Sequence, residues 1–123
     1  MKKIFILDDN EELLEIMKRL LKKDFEVMCS METDHIDDQI LKFNPDILIL
    51  DHSIGEVNSG DIIGKLKSKT PPFSNPVILF SAHPHLETIV HTVGANGFID
   101  KPSDIAYIRK YIEDKLNESV DNK

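Results

Sequence analysis

Two short apolar runs stop abruptly at acid: Lys3-Ile4-Phe5-Ile6-Leu7 leads straight into Asp8-Asp9, and Ile47-Leu48-Ile49-Leu50 into Asp51. A run of four or five apolar, mostly branched residues lacks the alternation of a half-solvated strand. It reads instead as a central strand of a parallel sheet, buried on both faces. The charge that ends such a run marks the strand's carboxyl end, the edge at which open α/β sheets bind ligands. Two further runs end in the same manner, Pro76-Val77-Ile78-Leu79-Phe80 at Ser81 and Gly97-Phe98-Ile99-Asp100 at Lys101-Pro102. Asp8, Asp9, Asp51, Ser81 and Lys101 are thereby delivered to one edge of one sheet.

Segments of helical period separate these runs. Leu13, Leu14, Ile16, Met17, Leu20 and Leu21 form an apolar stripe among charged positions, the pattern of a helix laid on a sheet. Asp9 or Asn10 caps its start, and Glu11 and Glu12 suit the positive end of its dipole. Phe25-Glu26-Val27-Met28-Cys29 reads as a short second strand, followed by a helical pattern over 34–43 that stops at the turn signal Asn44-Pro45. A polar, Gly-containing loop covers 53–58, and Ser59 stands as the cap of a helix through Lys67. Pro71-Pro72 marks another loop. Leu86, Ile89, Val90 and Val93 define a fourth helix, with Pro84 near its first turn and Gly94 at its stop. A fifth begins at Ser103-Asp104 and carries Ile105, Ile108, Ile112 and Leu116 on one face. Strands alternating with helices, joined by right-handed crossovers, make a doubly wound parallel sheet: an α/β, flavodoxin-like fold of five strands in the order 2-1-3-4-5, flanked by five helices. One domain is expected over residues 1–118, with a polar tail at 119–123 that frays.

Composition narrows the partners. Charged residues are 30% of the chain and the net charge is -7, a field that repels phosphate backbones and anionic membrane surfaces. Proteins are the expected partners, with no binding to nucleic acid or membrane. The lone Cys29 forms no internal disulfide, and the five-residue run after Met1-Lys2 is no signal peptide. No apolar stretch approaches the roughly 20 residues that span a bilayer. The expected location is the cytoplasm, and the Asn117-Glu118-Ser119 sequon is then a chance match.

In the 2-1-3-4-5 order the strand order reverses between the first and third strands, and Asp8, Asp9 and Asp51 converge there. Three crowded carboxylates repel, so either one is protonated or a cation fills the gap. Oxygen ligands, few of them from protein, favour Mg²⁺ over Ca²⁺. A metal, a carboxylate, an amine from Lys101 and a hydroxyl from Ser81 together suit phosphoryl transfer. Plainer readings exist for each residue alone. Strand-end aspartates often only cap helices, most lysines are solvated, and a single strand aromatic such as Phe98 is usually core. His83, His85 and His91 lack zinc-ligand spacing and read as surface residues, although His83, two past Ser81, can influence water access there. Gly60 and Gly64 do not follow a strand directly and are no dinucleotide loop.

Taken together, five separated positions resemble the receiver domain of two-component response regulators, of the chemotaxis-regulator-like kind, over essentially the whole chain. Ile6-Leu7-Asp8-Asp9-Asn10 is similar to the family's acidic-pair motif, and Ile47-Leu48-Ile49-Leu50-Asp51 to its phosphoacceptor strand. Phe80-Ser81-Ala82 resembles the hydroxyl-bearing strand, Phe98 the aromatic switch position, and Lys101-Pro102 the family's lysine followed by proline. The resemblance implies that Asp51 accepts a phosphoryl group from a histidine kinase or phosphotransfer protein. It implies Mg²⁺ held by Asp8, Asp9, Asp51 and the backbone carbonyl of Ser53. Lys101 would pair with one phosphoryl oxygen, Ser81 with another, and Phe98 would turn inward as Ser81 moves, switching a surface of the fourth helix, fifth strand and fifth helix toward a downstream protein target. A cis Lys101-Pro102 bond is also implied. The chain would then be a signalling switch that assists its own phosphorylation and dephosphorylation, not an enzyme acting on other substrates.

Departures lie mostly beyond Asp51. Ile54 and Gly55 stand where the family usually has Met-Pro, and Gly60 falls nine beyond the acceptor where eight is usual, which reads as one extra loop residue. Ser103 replaces an apolar residue after Lys101-Pro102. Two alternatives accompany the switch. An aspartyl-phosphate phosphatase or phosphotransferase would need a second acid near its nucleophile, where Ser53 stands instead. A phosphate-independent receiver-like interaction module would have no reason to keep charges facing one another.

Overall fold

A computed structural model describes residues 1–121, with side chains described through Glu118. In chain order the elements are β1 (Lys2–Leu7), α1 (Glu11–Leu21), β2 (Phe25–Ser30), α2 (Ile36–Phe43), β3 (Ile47–Leu50), β4 (Ser53–Ile54), β5 (Val57–Asn58), α3 (Ser59–Lys67), β6 (Val77–Ser81), α4 (Leu86–Val93), β7 (Gly97–Asp100) and α5 (Ile105–Asp121). The main sheet runs β2-β1-β3-β6-β7, all parallel, which is the order 2-1-3-4-5 among its five strands.

Side-chain alternation along these strands sorts the core into two layers. Ile4, Ile6, Ile47, Ile49, Ile78, Phe80 and Ile99 face Leu14, Met17 and Leu21 of α1 and Ile108, Ile112 and Leu116 of α5. Phe5, Leu7, Leu48, Leu50, Val77 and Leu79 face α2, α3 and α4, through Ile36, Ile40, Ile62, Ile63, Leu66, Leu86 and Val90. Burying each such aliphatic chain stabilises the fold by about 1.5–3 kcal/mol.

Register then aligns the site. Leu7 pairs with Leu50, and Leu50 with Leu79, so the strands end nearly level. The Asp51 N–H donates to the Leu7 carbonyl at 2.9 Å, and the Lys101 N–H to the Ser81 carbonyl at 2.9 Å. Asp8, Asp51, Ser81 and Lys101 thus leave the sheet at one edge.

Of the two caps open to α1, Asn10 takes the role, its side chain accepting the Leu13 N–H at 3.1 Å. Asp9 is left free for other work. Three local expectations change. Asn58 rather than Ser59 caps α3: its side chain accepts the Asp61 N–H while Asp61 accepts the Asn58 N–H, a reciprocal capping box. Segment 53–58 is not an irregular loop but a small antiparallel hairpin of β4 and β5, turned through Gly55 at φ +60° and anchored by the buried Ile54. Helix α2 starts at Ile36 rather than residue 34, with His35 left-handed at its head. Gly94 does end α4, at φ +81°, a conformation that costs other residues more. The Lys101-Pro102 bond is cis, as is Thr70-Pro71. Helix α5 is described to Asp121, while residues 122–123 of the expected tail lie outside the described residues. Among the described residues no helix is long and apolar enough to cross a membrane.

Candidate functional site

Asp8 follows β1 and is only 1% exposed. Both of its oxygens are engaged: Oδ1 accepts the Asn10 N–H at 3.0 Å and Oδ2 accepts from Lys101 Nζ at 2.6 Å. The same ammonium lies 3.4 Å from Asp51 Oδ2 and 5.2 Å from the centre of the Phe80 ring, so it bridges two carboxylates over an aromatic face. Lys101 is therefore paired across the sheet edge, not solvated. Asp9 sits exposed at the rim. One oxygen each from Asp8, Asp9 and Asp51 lies within 4.8 Å of the others.

One amine thus faces three acids. Burial pushes the Asp51 carboxyl above the usual carboxylate range, with Lys101 pulling it down and Asp8 pushing it further up. Desolvation outweighs the single bridging cation. A cluster of hard oxygen donors with surplus negative charge fits a hard divalent cation.

Ser53 opens β4 two residues past Asp51, paired with Asn58. Ser81 ends β6 and is 8% exposed; its hydroxyl accepts the His83 N–H at 3.3 Å rather than bonding to the aspartates. Phe98 lies apart from the cluster on β7, half-buried beside α4 and lining a groove of about 570 Å³ with Asp100, Tyr107 and Tyr111. Its N–H donates to the Tyr111 hydroxyl at 3.1 Å.

Two features escaped sequence reasoning. His52 Nδ1 lies 2.8 Å from Ser59 Oγ, and its ring meets that of His83 edge to face at 5.5 Å. Burial, then His83, lowers the pKa of His52, while Asp51 raises it. The available signal was a histidine directly after Asp51 and another just past Ser81. Tyr111 was also missed; it faces the same side of α5 as Tyr107, four residues before it. The histidines form no metal cluster among the described residues.

The sequence profile described as "Response regulator receiver domain" matches residues 4–113. Nisin biosynthesis regulatory protein NisR of Lactococcus lactis subsp. lactis is 27% identical over 128 residues, covering 98% of this chain and 53% of that protein. Sensory transduction protein LytT of Bacillus anthracis is 28% identical over 126 residues, covering 96% and 50%. The chain spans about half the length of these curated relatives. Among solved structures, a CheY-like response regulator receiver domain protein from Methanospirillum hungatei superposes with a TM-score of 0.87 at 21% identity, covering 100% of this chain and 99% of that one. A receiver domain protein from Clostridium thermocellum gives 0.84 at 22%, covering 100% of both. Those two likenesses speak for the fold, and the profile speaks for the lineage: this chain belongs to the response regulator receiver domains of two-component systems.

Proposed function

We propose that the chain is a phosphorylation-operated switch in which Asp51 accepts a phosphoryl group from the phosphohistidine of a histidine kinase or phosphotransfer protein. The carrying observation is the meeting of Asp8, Asp9 and Asp51 oxygens within 4.8 Å, with Lys101 bridging two of them. An Asp51 oxygen attacks phosphorus; the O–P bond forms as the P–N bond breaks, and the donor imidazole keeps that electron pair. Asp8, Asp9, Asp51 and the Ser53 carbonyl would hold Mg²⁺, which when bound would neutralise the charge gathered on the attacking and transferred oxygens. Lys101 pairs with a phosphoryl oxygen, a charge-assisted bond. Ser81 now accepts from His83, so its own proton is available to donate to a second oxygen. In a separate hydrolytic step water attacks the same phosphorus, the P–O bond to Asp51 breaks with the electron pair staying on the carboxylate, inorganic phosphate leaves, and the same groups assist.

In this reading residues 1–118 are the switching unit and 119–123 a tail, the donor and the downstream target are proteins, and the setting is the cytoplasm. Intact mass after incubation with a small phosphodonor tests it. Wild type with Mg²⁺ should gain one phosphoryl group, while Asp51→Asn, or wild type in excess chelator, should gain none. A phosphorylated Asp51→Asn chain would remove Asp51 from this role.

A further inference from the structure

The position after Asp51 is clasped rather than free. The Ser59 N–H donates to the His52 carbonyl at 2.8 Å, and His52 Nδ1 lies 2.8 Å from Ser59 Oγ, so two bonds close the base of the β4–β5 hairpin. Ser59 is fully buried, and a buried hydroxyl is costly to leave without its partner. The His52 ring meets His83 at 83°, edge to face. His83 is fixed twice more: its Nδ1 accepts the His85 N–H at 3.1 Å, and its own N–H donates to Ser81 Oγ at 3.3 Å. Contacts therefore run without a gap from the first turn of α3, through His52 and His83, to the hydroxyl at the end of β6.

The links differ in strength. At 3.3 Å the bond to Ser81 is longer than an ordinary N–H···O contact, whereas the clasp at 2.8 Å is short. A displacement of Ser81 breaks the weak link and moves His83 against a ring that Ser59 holds in place.

We propose that His52 is a positioning residue that couples the β4–β5 hairpin and the start of α3 to Ser81, so the surface that responds to Asp51 includes the hairpin as well as α4, β7 and α5. The proposal rests on Asp51 being the acceptor and Ser81 the hydroxyl that turns toward it. When Ser81 turns, the His83 N–H loses its acceptor, and the shift of the His83 ring reaches Ser59 through His52. Coupling is reciprocal. A protein that presses on the hairpin tip at Gly55-Glu56 biases Ser81 by the same contacts, with no need to touch the aspartates.

Amide exchange measured by NMR, without phosphodonor or metal, tests the path. Ser59→Ala removes one oxygen and leaves the aspartates and Lys101 untouched. It should raise exchange at the His83 amide by about threefold or more, while β1 amides keep their rates. His52→Asn, which retains a group able to bond Ser59 but lacks the ring, should loosen His83 similarly. In a His52→Ala background Ser59→Ala should add nothing at His83. An unchanged His83 rate in Ser59→Ala, an equal effect in both backgrounds, or a rise spread through β1 would overturn the coupling. No phosphoryl group enters this experiment, so failure of the acceptor shows in the mass measurement and failure of the path shows here.

Discussion

Lys101 decides the electrostatics of the resting site. Asp8 is buried, and its charge is compensated by the Lys101 ammonium and one backbone N–H. Removing one partner of a buried pair strands the other charge, typically at 3–5 kcal/mol. The Lys101 side chain is 22% exposed, so Lys101→Ala should cost less, roughly 1–3 kcal/mol in urea unfolding without divalent ions. Mg²⁺ should restore much of that loss, because a ligand that binds only the folded state stabilises it by mass action. A Lys101→Ala chain as stable as wild type in chelator would contradict the pairing. Asp51 carries the opposite consequence. Its folded pKa is raised, so its favourable contribution is present below the unfolded value near ~3.9 and is lost as pH rises through the folded value. In chelator, Asp51→Asn should therefore overtake wild type in melting temperature as pH rises from acid to neutral. The gap should close again on acidification, and a gap that persists at acid pH would show that burial of the charged form is not its cause.

The elements show which parts of the molecule were legible in the sequence. Strands β1, β3, β6 and β7 were readable because apolar runs stop at charge or, for β6, at a hydroxyl, and α1 and α5 because an apolar stripe recurs at helical period. The hairpin was not, since two strands of two residues carry no periodicity and the burial of Ile54 comes from the core cluster it joins, made of residues distant in sequence. Asn58 and Ser59 are both good caps; the extended backbone at Asn58 and its reciprocal bonds with Asp61 chose between them. The Lys101 to Asp8 pairing joins residues 93 apart and depends on side-chain reach, which no pattern records. The docking of α5 on the edge strand β7 was equally hidden. From α5, Tyr111 accepts the Phe98 N–H and Lys115 donates to the Asn96 carbonyl at 3.2 Å, while Ser103, just ahead of the helix, donates to the Asp100 carbonyl at 2.5 Å, so side chains supply bonds that a missing neighbour strand would have made. A Cβ at Gly97 would collide with the Tyr111 hydroxyl. Gly97→Ala should destabilise by roughly 1–3 kcal/mol, and adding Tyr111→Phe, which removes the clashing oxygen, should make the pair less damaging than the sum. Strictly additive losses in a double-mutant cycle would mean the two do not meet.

At the scale of the whole molecule, the aspartate cluster and the groove beside Phe98 are separate places joined by β6 and β7. The two strands pair Leu79 with Phe98 and Ser81 with Asp100, so the proposed hydroxyl switch and the aromatic one lie on neighbouring strands with little slack between them. A phosphoryl group on Asp51 shifts the balance of two conformations only by interacting differently with each. Ser81 is the group whose bonds would differ: at rest it accepts from His83, and it can donate to a phosphoryl oxygen only by turning. In the proposed switch that movement would free volume beside α4 for the half-buried Phe98 ring to rotate into, and so would reshape the groove that Phe98 lines with Tyr107 and Tyr111. Phe98 carries no hydroxyl, so its inward state depends on burial, and Phe98→Ala should weaken binding of a protein target at this face while leaving phosphorylation intact. Ser81→Ala separates chemistry from output more sharply. It keeps Asp51, the acidic pair and Lys101, so its intact mass should still rise by one phosphoryl group with phosphodonor and Mg²⁺. Its amide resonances from Pro84 to Tyr111 should then stay near their resting positions, whereas those of the phosphorylated wild type move. If the wild type is also silent over that stretch while the Asp51 loop responds, charge at the aspartates is not converted into packing at α4, β7 and α5, and the switch must act through another face.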